Sequence, residues 1–164
     1  VRITISREKG VVVTVPNVYR ESAVEKFLEE KADWITKTTA RLESLGPPLL
    51  PRAKRGDYAR YKQQALALAV ARVEHLNQFY GFRFKSIGIR NQKTRWGSCS
   101  RQRNLNFNYK IALLPPSLTD YIAVHEICHL KEMNHSPKFW TLVEKTVPNY
   151  KQLRTQLRKN SLLV

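Results

Sequence analysis

The chain of 164 residues carries 29 Lys and Arg against 13 Asp and Glu, a formal net charge of +16. Apolar residues make up 42% and charged ones 26%, which excludes a disordered tail and suits one folded domain spanning 1–164. No uncharged apolar run approaches the roughly 18 residues of a transmembrane segment, the opening VRITISREKG has no apolar leader core, and two cysteines are too few for a disulfide framework, so a reducing, cytoplasmic setting is expected.

Val1, Ile3 and Ile5 alternate with polar residues, as do Val11, Val13 and Val15, and Arg7-Glu8-Lys9-Gly10 between them completes a predicted β-hairpin. Ser22 and Glu25 form a capping-box pattern. Val24, Phe27, Leu28, Ile35, Leu42 and Leu45 then follow at helical spacing up to a stop at Gly46-Pro47-Pro48. Residues 46–56, rich in proline and basic side chains, read as an internal loop.

A second helix is predicted from Asp57 to Tyr80, with Tyr61, Ala65, Ala69, Val73, Leu76 and Tyr80 on one stripe and Gly81 as its stop. Three short strands follow at Phe84–Arg90, Thr94–Ser100 and Asn104–Ile111. Pro115-Pro116 opens a helix reaching about Met133, Ser136-Pro137 starts another that Pro148 ends, and Tyr150, Leu153 and Leu157 mark a last amphipathic helix. Charge concentrates in the middle of the chain. Residues 51–110 hold fourteen Lys and Arg against only Asp57 and Glu74, a balance that points to a polyanionic partner such as nucleic acid or a nucleotide. A solvated basic face is the plainer alternative.

Residues 125–129 read His-Glu-Ile-Cys-His. On a helix, positions i and i+4 share a face about 6 Å apart along the axis, so both imidazoles can reach one ion. The intervening Glu126 is turned by about 100° and reaches a water on the metal rather than the metal itself. The surrounding helix (Leu118, Tyr121, Ile122, Ala123, Val124, Ile127, Cys128, Leu130) is apolar around most of its circumference, and buried ionisable groups need partners. His135 follows six residues after His129, behind Met133-Asn134, where Asn tolerates the left-handed conformation that would fold the chain back. Three protein ligands plus an open position is the plan of a catalytic zinc site. Two alternatives stay open on the residues: core histidines satisfied by backbone carbonyls, and a structural zinc completed by Cys99, Cys128 being turned more than 90° from the histidine face. His75 stands alone on the second helix and reads as an ordinary surface or core residue.

His125-Glu-Ile-Cys-His-Leu130 with Asn134-His135-Ser136-Pro-Lys-Phe-Trp140 resembles the YgjP-like metallopeptidase domain, a zincin group related to the SprT-like and WLM families. Asp33-Trp34-Ile35, read as the end of the first helix, Arg95-Trp-Gly-Ser-Cys-Ser100, Asn108 and Pro115-Pro116 agree with it in order, from near residue 1 to about 158. The chain opens on Val1, and a native N-terminal strand is expected to precede it. The resemblance implies a zincin-like α+β fold, one zinc ion held by His125, His129 and His135, and Glu126 as catalytic acid/base. The histidine spacing also equals that of metzincins, but Glu132 stands where those carry Gly, and no Met-turn is evident.

The chemistry that follows is general: Glu126 takes a proton as zinc-activated water attacks a carbonyl or phosphoryl centre, then passes it to the leaving group. Arg95 is the candidate for steadying developing negative charge, and Ser98 and Asn108 for substrate hydrogen bonds. A purely structural reading of Arg95–Asn108 stands beside this, with Trp96 as core, Gly97 as a bulge, and Ser98 and Cys99 as small buried residues. Phe139 and Trp140 are expected to pack behind the metal helix. The first function implied is a zinc metallopeptidase acting on protein or peptide. The second is a metal-dependent nucleotide phosphohydrolase of pyrophosphatase type. The third is a non-catalytic nucleic-acid-binding zinc module. The oligomeric state is not legible.

Overall fold

Five helices and two small sheets make up the computed structural model, which describes residues 1–6, 9–44, 49–51 and 53–159. The chain divides between Pro48 and Leu49 into two compact units, inside the predicted 46–56 loop. In the first unit β1 (Arg2–Ser6) and β2 (Gly10–Thr14) pair antiparallel, Arg2 opposite Thr14 and Ser6 opposite Gly10. Gly10 takes φ +62°, the positive value expected of the turn, while Arg7 and Glu8 lie outside the described residues. Helix α1 (Glu21–Glu43) packs on both strands.

Two details of α1 differ from expectation. Its N-cap is Arg20, whose carbonyl accepts from the Ala23 and Val24 amides, so Ser22 sits inside the first turn and caps nothing. Its apolar stripe is only half-buried, and Trp34 of the Asp33-Trp34-Ile35 motif lies in mid-helix and exposed. The predicted stop at Gly46-Pro47-Pro48, with Leu45, lies outside the described residues.

The second unit holds the core. Helix α2 (Asp57–Tyr80) forms where its periodicity placed it, burying Ala65, Ala69 and Val73, and ends at Gly81 in the left-handed conformation, φ +64°. Strands β3 (Ser86–Arg90), β4 (Gly97–Cys99) and β5 (Asn104–Asn108) make one sheet in the order β3-β5-β4, parallel between β3 and β5 and antiparallel between β4 and β5. They are shorter than predicted. The third stops at Asn108 because its side chain accepts from the Lys110 amide and caps a 3-10 turn over Tyr109–Leu113, where alternation had suggested strand to Ile111.

One face of the sheet, with Ile89, Leu105 and Phe107, is buried in the core. The other is polar: Ser86 donates to Asn104, and Arg90 to Asn106. Helix α3 (Pro116–Cys128) runs through the core, and Leu118, Val124, Ile127 and Cys128 are wholly buried. It touches α2, β4, α4 (Pro137–Glu144) and α5 (Tyr150–Lys159). A two-pronged ion pair from Arg72 on α2 to Asp120 on α3 fixes these helices together. Ser136 caps α4 and Pro137 opens it, as predicted, although α4 ends at Glu144, before Pro148. Leu153 and Leu157 of α5 join the core. Among the described residues no helix is long and apolar enough to cross a membrane.

Candidate metal centre

Helix α3 ends at Cys128, about five residues before the expected end near Met133, and that stop shapes the site. His129 is its C-cap, with its amide bonded to the His125 carbonyl. The chain then tightens: Leu130 donates to the Ile127 carbonyl, and Lys131 and Glu132 to that of Cys128. This brings the Glu132 carbonyl to 3.0 Å from His129 Nδ1. Asn134 does not adopt the left-handed conformation; Arg103 is the only described non-glycine residue with positive φ. The turn back comes instead from the tightened helix end and from Ser136, whose amide bonds the Asn134 carbonyl before α4 begins.

The consequence is a convergence of three rings. Nε2 of His125 stands 3.2 Å from Nε2 of His129 and 3.0 Å from Nε2 of His135. A carbonyl only accepts, so the contact with Glu132 puts a proton on His129 Nδ1 and leaves the Nε2 lone pair facing its neighbours. Burial pushes the His125 imidazolium down to about 3, and the neighbouring positive charge of His129, His135 and Arg154 pushes the same way. Burial also lowers His129 and His135. The rings are therefore neutral at pH 7, with lone pairs available.

With the ring protons on the Nδ1 atoms, three Nε2 lone pairs would face one another, an arrangement that a positive ion between them stabilises. Nitrogen ligands about 2.0–2.1 Å from a tetrahedral zinc stand about 3.3 Å apart, close to the spacing found. These three histidines form the metal-competent cluster among the described residues, with no fourth protein ligand beside them. Burial pushes the Cys99 and Cys128 thiols up to about 11 and about 12, so both stay protonated, and neither belongs to the cluster. Phe139, wholly buried, supports the rings with centroids 4.9, 4.5 and 4.8 Å from His125, His129 and His135. Trp140 stacks on His135 at 5.5 Å and on Tyr150 at 5.1 Å. Both aromatics pack against the histidines, in the supporting place expected of them.

Glu126 is only 4% exposed, and its Oε2 has no hydrogen-bond partner among the described residues. Burial pushes its carboxyl up to about 8, against the pull of Arg95. An unsatisfied carboxylate oxygen beside three converging imidazoles is what a proton-transfer group looks like before substrate arrives. Strand β4 makes its space. A Cβ on Gly97 would lie 2.5 Å from Glu126 Oε1 and 2.7 Å from Cγ, so only glycine fits there. The sequence had suggested a bulge; Gly97 is instead a regular strand residue paired with Phe107, and its missing side chain is the wall of the site.

The remaining expected residues separate. Arg95 is exposed, and its charge is felt at Glu126. Asn108 is wholly buried and has nothing to offer a substrate: its amide donates to the carbonyls of Gln92 at 2.7 Å and Arg95 at 3.2 Å, and its backbone amide to that of Trp96. It positions the loop that carries Arg95 and leads into Gly97. Ser98 alternates with Gly97 and so faces the opposite side of the sheet from Glu126. Two contributors had no sequence signal. Arg154 of α5 lies over Trp140, guanidinium carbon 4.7 Å from the ring centroid. Tyr121, one turn before His125, sets its ring edge-on at 6.0 Å from the imidazole.

The sequence matches the family model described as YgjP-like, metallopeptidase domain, over residues 1–72 and 52–160. Among solved structures, the crystal structure of the metallopeptidase zymogen of Pyrococcus abyssi abylysin is similar at 26% identity and a TM-score of 0.50, across 58% of this chain and 99% of that one. No curated protein matches.

Proposed function

The chain belongs to the YgjP-like metallopeptidase domain family, and from that premise we propose that it is a zinc-dependent hydrolase cleaving peptide bonds at the centre formed by His125, His129, His135 and Glu126. The observation that carries this reading is the convergence of three neutral imidazole nitrogens at 3.0 and 3.2 Å beside a buried, unpartnered carboxylate oxygen. A zinc ion held there supplies Lewis acidity, polarising a carbonyl and easing deprotonation of water near neutral pH. Glu126 takes that proton on its free Oε2 and returns it to the leaving amine. Burial raises the carboxyl's affinity for protons in the metal-free site, and a dication beside it would draw that affinity back down, leaving a group able both to accept and to release a proton. Gly97 leaves the carboxylate in place, and Asn108 holds the strand entry that presents Gly97. Arg95 steadies negative charge at the mouth.

A second reading, hydrolysis of a nucleotide phosphoanhydride, is favoured by one feature: the charge of Arg95 is felt at Glu126 and that of Arg154 at His125, and neither arginine has a carboxylate ion-pair partner among the described residues. Zinc-loaded protein offered unfolded casein in one assay and nucleoside triphosphates in another separates the two. Peptide release without phosphate or pyrophosphate release supports the peptidase. The converse supports the phosphohydrolase, and neither activity returns the chain to a non-catalytic zinc module. The exposed cations of residues 51–110, among them Arg60, Lys62, Lys85, Arg101 and Arg103, support a nucleic-acid contact that would bring substrates to the site.

A further inference from the structure

Arg154 is out of place for a residue that serves only the fold. It lies on α5, in a different helix from every metal-site histidine, yet its guanidinium rests over the Trp140 ring at 4.7 Å, and Trp140 stacks on the metal-site ring of His135 at 5.5 Å. Trp140 is itself held by Tyr150, stacked at 5.1 Å and 12° between planes. The guanidinium is thus oriented by an aromatic platform rather than left to sweep through solvent. The residue is exposed, and the ion pairs among the described residues are Lys37–Asp33 and Arg72–Asp120, so no carboxylate among the described residues neutralises it.

Its electrostatic setting makes this costly. The site gathers a dication when loaded, three neutral imidazoles and one carboxyl, with Arg95 on the Glu126 side. A further fixed cation, laid on the ring that itself stacks on His135, opposes metal binding. Such a group is tolerated where an incoming anion compensates it, and a planar guanidinium with free N–H donors matches the two oxygens of a carboxylate or phosphate.

We propose that Arg154, laid on Trp140 beside His135, is the subsite for an anionic oxygen group of the substrate, selecting substrates that carry a carboxylate or phosphate next to the bond that is broken. This rests on the hydrolase reading above and adds to it the substrate's charge. No atom of Arg154 takes part in bond breaking; it is a specificity residue.

The test is binding, so that it does not depend on turnover. Zinc-loaded wild type and Arg154→Gln are titrated calorimetrically with N-acetylalanine, its amide, and inorganic phosphate, after equal zinc content and equal melting temperature have been checked. Arg154→Lys is a second variant that keeps the charge without the fork. The expected result is tighter binding of N-acetylalanine than of its amide in wild type, with a loss of tenfold or more for the anions in Arg154→Gln and partial recovery in Arg154→Lys. Loss for N-acetylalanine alone identifies a terminal carboxylate as the group read; loss for phosphate alone identifies a phosphoryl group. Anion affinities unchanged in Arg154→Gln, or no measurable anion binding by wild type, overturn the proposal. A protein that binds these anions through Arg154 but cleaves neither casein nor nucleotides would sink the hydrolase reading and leave the subsite standing.

Discussion

Replacing Gly97 with alanine tests whether the shape of the site, and not only its ligands, was built around Glu126. The added methyl carbon would lie 2.5 Å from Glu126 Oε1, 2.7 Å from Cγ and 2.8 Å from Cδ. Ordinary carbon–oxygen contact begins near 3.4 Å, so the carboxylate has to retreat by about 0.9 Å at the oxygen. Contact at Cγ means the whole side chain must move, and at 4% exposure it has no solvent to move into. Overpacking of this kind costs about 1–3 kcal/mol of stability. A misplacement near 1 Å of a proton-transfer group costs on the order of a hundredfold in turnover. Gly97 is not part of the metal-competent cluster of His125, His129 and His135, and the atoms nearest its added Cβ all belong to Glu126, so zinc content should not change. The assay is turnover on unfolded casein at saturating zinc, with zinc per chain and the melting temperature measured on the same samples. Gly97→Ala with wild-type turnover would refute the claim that this wall holds the carboxylate in position.

Removing the third ligand gives a complementary result. His135→Ala should weaken zinc retention by at least a hundredfold, since changes merely behind a ligand already cost 10–100-fold, and the exposed position should spare the fold; full zinc content in a competition with a chelator would assign the third ligand elsewhere. In metal-free protein the site should also leave a signature in stability against pH. Glu126 binds a proton more tightly folded than unfolded, between 4.5 and about 8, so its contribution falls as pH rises through that window. His125 does the reverse between about 3 and 6.5, where only the unfolded chain is protonated. The two offset one another from 4.5 to 6.5, and above 6.5 Glu126 alone lowers stability, by up to about 1.4 kcal/mol per pH unit. Urea unfolding of metal-free wild type should show that fall between pH 6.5 and 8, and Glu126→Gln should abolish it; an identical slope in the variant would contradict the burial argument. Nucleic-acid affinity, carried by the basic stretch 51–110, should drop steeply with salt as counterions are released, and a salt-insensitive or absent interaction would make that stretch a solvated face.

Much of the second unit was legible because its signals are local. The stripe Ala65, Ala69, Val73 and the stop at Gly81 follow from helical period and from the left-handed preference of glycine. Ser136-Pro137 is a start signal that depends on two adjacent residues. The two histidines one turn apart, with the glutamate between, gave the α3 part of the site for the same reason. What escaped depends on partners distant in sequence. The helix ends at Cys128 because the next carbonyls and His129 find bonds in a tightened turn, which no single residue announces. Asn108 reads as a strand residue with a polar side chain, and only the fold shows its amide committed to the Gln92 and Arg95 carbonyls. Gly97 faces a residue 29 positions away, and Arg154 reaches Trp140 from another helix. Ser22 shows the limit of local patterns too: the capping-box spacing is present, but the chain enters the helix two residues earlier, at Arg20.

The central claim is that three imidazoles hold a zinc ion and leave one position for water and substrate. X-ray absorption at the zinc edge of the loaded protein tests it most directly. The account predicts a four-coordinate ion with only nitrogen and oxygen neighbours at about 2.0–2.1 Å, three of the four being imidazole, and an oxygen that exchanges for added anion. A sulfur neighbour at about 2.3 Å, bringing Cys99 or Cys128 into the shell, or a fourth fixed protein ligand, would contradict it and make the centre structural.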